Sequence, residues 1–203
     1  MQPVSAADER DRIIGAAYAC LSAPHHGPVP IAAILDRAGV STRAFYRHFE
    51  SKDALFIAML QLESDMLVGR LERIPQDTDG GPVAELRAWV EAMFELANDP
   101  RRASNMDVLD SDEVRVAKGY RDVRDRIRAE RERSLVTILE RGKRDGTFPD
   151  ADPTVDATAI SGAVIRVLAG MTPPNAPPSD RAIAGLIDFA LRALGAVRST
   201  HRG

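Results

Sequence analysis

The stretch from Ile31 to Phe49 constrains the fold more than any other part of the chain. Ile31, Ile34, Leu35 and Ala38 recur at the spacing of one helix face, and Pro30 suits the first position of that helix. Gly39 follows at once and supplies the left-handed backbone that ends a helix. Ser41 then reads as the N-cap of a second, shorter helix over Thr42–Phe49. Small Ala33 lets the two helices approach, and Val40 points back between them. Two short helices joined by a glycine turn form a helix-turn-helix, which binds DNA in many proteins and is structural in others.

The second helix has two faces. Phe45 and Phe49, four apart, make the buried one. Arg43, Tyr46 and Arg47 share the opposite one, and no acidic residue of that helix relieves the two like charges. Such a face suits an anionic partner. Ser41, Thr42 and Arg43 lie at the helix N-terminus, the end that meets base edges in the major groove. Tyr46 and His48 are within reach of phosphate oxygens. Ser51 caps a further helix, and Lys52 stands at its start, where free backbone N–H groups also attract phosphate.

Charge supports this placement. The chain of 203 residues carries −3 overall, yet residues 37–52 hold Arg37, Arg43, Arg47 and Lys52 against Glu50 alone. A basic patch on an acidic body directs an anion to one end.

Elsewhere the apolar pattern is helical, and no stretch alternates long enough to argue a sheet. Helices are expected over Asp8–Leu21, Asp53–Ile74, Val83–Asn98, Asp112–Asp145, Pro153–Gly170 and Asp180–Val197, with 100–110 ambiguous. Loops are expected at Ala23–Pro28, at Pro75–Pro82 and at the Pro-rich Thr172–Pro178. The fold class is all-α.

No apolar run reaches the ~20 residues of a membrane span, and the N-terminus has no apolar signal core, so a cytoplasmic location is expected. Cys20 is the single cysteine, which excludes an internal disulfide and a multi-Cys zinc site. With four His, no Gly-rich phosphate loop and no helical His-x-x-x-His pair, no catalytic residue, metal or cofactor is expected. His25 and His26 are neighbours in a breaker loop, where their side chains diverge.

Ala38-Gly39-Val40-Ser41, Phe45-Tyr46-Arg47-His48-Phe49 and Ser51-Lys52-Asp53-Ala54-Leu55 together resemble the N-terminal domain of the TetR family of transcriptional regulators. The resemblance covers about residues 8–60. Pro28-Val29-Pro30 departs from it, because the family usually carries a Thr or Ser cap there. The resemblance implies a DNA-binding domain over 1–54 and an effector-binding and dimerisation domain over 55–203. It implies that Thr42, Arg43, Tyr46, Arg47, His48 and Lys52 occupy the DNA-facing positions. It further implies a homodimer on a palindromic double-stranded operator, acting as a repressor that a small molecule, expected to be hydrophobic, releases. The other reading of the residues is a helical small-molecule-binding or interaction protein without DNA binding.

Two groups of C-terminal residues follow. The last two helices offer Ile160, Gly162, Val164, Leu168, Ile183, Ile187 and Leu191 as a dimer interface, through a four-helix bundle between subunits. Met59, Leu62, Met66, Trp89, Met93, Phe94 and Tyr120 are the candidate ligand-binding residues, since Met adapts to irregular shapes and Trp and Tyr add a polar handle. Each of them alone also suits ordinary core.

Overall fold

The computed structural model describes residues 6–169 and 180–196. Ten helices run through them: α1 Ala6–Ser22, α2 Ile31–Ala38, α3 Thr42–His48, α4 Lys52–Asp77, α5 Gly81–Asn98, α6 Pro100–Leu109, α7 Asp112–Arg115, α8 Tyr120–Arg144, α9 Pro153–Ala169 and α10 Asp180–Ala193. No strand occurs among the described residues. The chain is all-α. The expected Thr172–Pro178 loop and the expected helix ends at Gly170 and Val197 lie outside the described residues.

The described residues fall into two compact units. One is drawn from Met1–Glu63 and Ser104–Asp125, the other from Ser64–Ala103 and Arg126–Gly203. In the first, α1 packs on α2 and α3. Its core includes Ile13, Ala17, Ile34, Phe45, Leu55 and Val114, all at most 4% exposed. Burying each large apolar side chain contributes on the order of 1.5–3 kcal/mol. A polar group sits at its edge: Asn105 Nδ2 donates to Glu63 Oε1 at 2.6 Å, and Tyr18 OH donates to Met59 O at 3.4 Å. Burial first, and then the Glu63 charge, push the Tyr18 phenol well above its usual range.

The second unit is built on Leu71, Leu86, Trp89, Leu135, Ile138 and Phe148, with α9 and α10 contributing Val164 and Ile187. Trp89 Nε1 donates to Ser134 Oγ at 2.9 Å, and Ser134 Oγ donates to Arg131 O at 2.7 Å, so the indole's polar edge is satisfied inside the core. The fully buried Glu85 carboxylate has the Arg141 guanidinium as its ion-pair partner.

Two helix boundaries differ from the sequence pattern. The helix expected over Asp112–Asp145 is broken into α7 and α8 by turns at Val116–Gly119, where Gly119 has φ +89°. Val114, Ala117, Tyr120 and Val123 all face inward at a spacing of three. Successive tight turns satisfy that spacing as well as a helix does, so periodicity reads through the break. Likewise α4 continues past Ile74 to Asp77 and carries Pro75 in its last turn at the cost of one backbone bond. Buried Leu71 and Ile74 hold that turn against the core, and Thr78 N still donates to Ile74 O at 3.0 Å.

Candidate nucleic-acid interface

The turn between α2 and α3 is held from two sides. Gly39 has φ 62° and ψ 41°, and its N–H donates back to Asp36 O. Arg12, from α1, aims its guanidinium at the end of α2: Nε and Nη2 donate to Ala38 O at 3.1 and 2.7 Å, and Nη2 donates to Gly39 O at 2.8 Å. A cation at a helix C-terminus answers both the free carbonyls and the dipole. Arg12 thus fixes the angle at which α3 leaves α2. Sequence reasoning counted Arg12 only as a charge, because a contact across this chain separation has no local signal.

Ser41 caps α3 as expected, with Ala44 N–H donating to its Oγ at 3.2 Å. Phe45 and Phe49 are buried, with ring centroids 5.6 Å apart. They lock the inner face and leave Thr42, Arg43, Tyr46 and Arg47 exposed on the outer one. Tyr46 is 56% exposed, yet its ring stands edge-on to Phe45 at 5.3 Å and 88°. That contact holds an aromatic hydroxyl outward. Arg43 lies in the first turn of α3, where a positive charge opposes the helix dipole. It has no ion-pair partner among the described residues, so an incoming anion would relieve it.

The remaining cations are engaged. Arg47 Nη2 donates to Glu9 Oε2 at 2.7 Å, and His48 Nε2 lies 3.0 Å from the same oxygen. The His48 hydrogen bond, more than the Arg47 charge, holds the Glu9 carboxyl below its usual range. Lys52 pairs with Glu113 of α7, which also accepts the Val29 N–H. No acid within α3 relieves its cations; Glu9, from α1, relieves Arg47, and Glu113, from α7, relieves Lys52 at the start of α4. Ser51 caps α4 as expected, with Ala54 N–H donating to Ser51 Oγ at 3.1 Å.

The expected ligand group is not brought together within one unit. Met59, Leu62 and Tyr120 belong to the first unit; Met66, Trp89, Met93 and Phe94 belong to the second. Leu62 and Met66 are exposed, whereas Met59, Trp89, Met93 and Phe94 are core. Tyr120 is also buried and donates its hydroxyl to Asp110 Oδ1 at 3.2 Å. Phe94 also borders a cleft of about 340 Å³ with Ile183, Ile187, Arg87, Glu91 and Asp180.

The expected dimer residues lie on two faces of α9 and on α10. Ile160, Val164 and Ile187 are buried in their own unit's core, and Leu168, Ile183 and Leu191 pack against it. The last three remain partly exposed. Gly162 is on the other face of α9, exposed, with open space where a Cβ would stand. Val155, Ala159 and Ile165 share that face, and Phe189 of α10 is 49% exposed. Of the two faces of α9, the one carrying Ile160 and Val164 is the one the unit buries.

Residues 13–59 match the family model described as bacterial regulatory proteins, tetR family. The HTH-type transcriptional repressor KstR2 of Mycolicibacterium smegmatis is 28% identical over 162 residues, covering 74% of this chain and 73% of that protein. The HTH-type transcriptional regulator YerO of Bacillus subtilis is 29% identical over 93 residues, and the match spans only 32% of its length and 45% of this chain. Among solved structures, the SmeT–triclosan complex is similar with a TM-score of 0.75 and 27% identity, covering 91% of this chain and 90% of that one. The capped α3 and the glycine turn that sets it agree with that match: residues 13–59 are a domain of the tetR family of bacterial regulatory proteins, in a chain that is similar to such regulators along most of its length.

Proposed function

We propose that the chain is a ligand-responsive transcriptional regulator that binds an inverted-repeat operator as a homodimer and represses from it. The observation that carries this reading is the outward face of α3, with Arg43, Tyr46 and Arg47 exposed above a locked aromatic face. Thr42 and Arg43 are positioned to meet base edges, and Tyr46, His48 and Lys52 to meet phosphate. Residues 1–54 serve DNA and 55–203 serve the effector and the dimer. The exposed stripe of Val155, Ala159, Gly162 and Ile165, with Phe189, supports pairing of α9 and α10 across a two-fold axis. A cytoplasmic site of action follows from a DNA partner.

The similar SmeT chain has been solved with triclosan, which supports a small hydrophobic molecule as effector. Such a ligand lowers operator affinity only by binding the non-operator conformation more tightly. The test is a gel shift with the DNA upstream of the chain's own gene, followed by a thermal-shift screen of hydrophobic compounds. Retardation of that DNA over a scrambled duplex is expected. Equal behaviour of both duplexes overturns sequence-specific regulation. No retardation at all favours a binding protein without a DNA function.

A further inference from the structure

We propose that Glu113 competes with operator phosphate for Lys52, so that DNA binding exchanges a protein carboxylate for a phosphate on the same ammonium. The proposal rests on the reading of Lys52 as a phosphate contact. Glu113 sits on α7, yet its carboxylate reaches the start of two other helices. Both of its oxygens accept the Val29 N–H, at 3.0 and 3.2 Å. That N–H immediately precedes Pro30, the N-cap of α2, which has no side-chain cap of its own. Glu113 therefore holds a negative charge next to the α2 N-terminus, where the helix dipole favours one. It pairs with Lys52 at the start of α4 and lies 3.6 Å from His25 Nε2. A second tie joins the same segment to α4, from Lys118 N–H to Asp53 Oδ2 at 3.2 Å.

The two partners of the Lys52–Glu113 pair are held unequally. The carboxylate is fixed by a backbone donor. The ammonium is on a flexible four-carbon stem, lies 5.3 Å from the Phe56 ring centroid and borders an open cleft of about 530 Å³. When a phosphate approaches, Lys52 is the member that moves and Glu113 stays on Val29. A carboxylate that stays behind repels the phosphate and pulls the ammonium back. Glu113 thus lowers affinity for every DNA sequence alike, without touching a base.

The test uses the full chain, a labelled duplex from upstream of its gene and a scrambled duplex of equal length. Glu113→Gln keeps an oxygen for the Val29 N–H and removes the charge. Its affinity should rise about two- to fivefold on both duplexes, the modest net effect of one partly buried ion pair. In a Lys52→Met background the same change should give a clearly smaller gain, the part left to direct repulsion between carboxylate and phosphate. A fall or no change in affinity, or an equal gain without Lys52, overturns the exchange while leaving DNA binding intact. No binding by the unmodified chain or any variant overturns the DNA-binding reading and the exchange with it. Should Glu113→Gln unfold, NMR on the unmodified protein decides. The Lys52 ammonium signal should shift on adding DNA while the Val29 amide does not, and a static Lys52 signal refutes the exchange.

Discussion

The carboxylate of Glu9 lies 2.7 Å from the guanidinium of Arg47, and so joins the first turn of α1 to α3. With His48 on the same oxygen, the Glu9 carboxyl is held below its ordinary 4.5. A lowered carboxyl contributes stability in full above its unfolded value and loses it as pH falls through the lowered folded value. Melting temperatures of the native protein and Glu9→Gln should therefore differ above about pH 5 and converge in acid. A gap that stays constant down to acid pH would place the effect somewhere other than this charge.

Much of the DNA-facing unit was legible in the sequence because its signals are local. Gly39, Ser41 and Ser51 act within a few residues of their own positions, and Phe45 and Phe49 declare the buried face by spacing. What sequence could not show are the contacts that cross the chain. Arg12 on Ala38, Glu9 on Arg47 and Glu113 on Lys52 join residues with no shared periodicity. The burial of α9 was ambiguous in the sequence for a related reason: the helix has two faces of small and apolar residues, and only packing says which is used within the unit. The break at Gly119 was hidden because the inward residues on both sides of it keep one spacing.

Arg43 is exposed, without an ion-pair partner among the described residues, and placed against the dipole of its own helix. Arg43→Ala should cost about 1–3 kcal/mol per base contact and relax preference at one base pair in each half-site. Binding to a panel of single-base operator variants checks it. Uniform weakening across the panel would assign Arg43 to phosphate instead.

Ser134 gives Trp89 its hydrogen-bond partner inside the second unit's core. Ser134→Ala strands a buried indole N–H and should destabilise the protein by about 1–3 kcal/mol. Chemical denaturation measures this, and Trp89, the single tryptophan, reports it directly by fluorescence. Stability unchanged within error would mean that water replaces the hydroxyl.

The Phe148 ring, fully buried, lies against Gly142 so closely that a Cβ there would overlap it. Gly142→Ala gains helix propensity but forces the ring out of its place, a net loss of about 1–3 kcal/mol. A rise in melting temperature instead would show that the ring shifts freely.

Phe189 is half exposed on α10. If α9 and α10 pair as proposed, Phe189→Arg should leave the melting temperature of the fold nearly unchanged, give monomers in light scattering and weaken operator binding. A dimer that survives the change places the two-fold contact on another surface.

Residues 104–125 pack with the N-terminal unit although they follow it by some forty positions in the chain. The boundary that matters for grafting is therefore not a single cut. A fragment ending near residue 63 would lose Val114, Leu109 and the Glu113 anchor on Val29, and would expose the apolar surface they cover. A chimera that moved only the first helices onto another regulator's body would inherit the same gap. Its new host would have to bring a matching segment, with a carboxylate at the position of Glu113. Transfer of DNA specificity within such proteins is then a matter of two pieces exchanged together, and their interface would have to change in step over evolution.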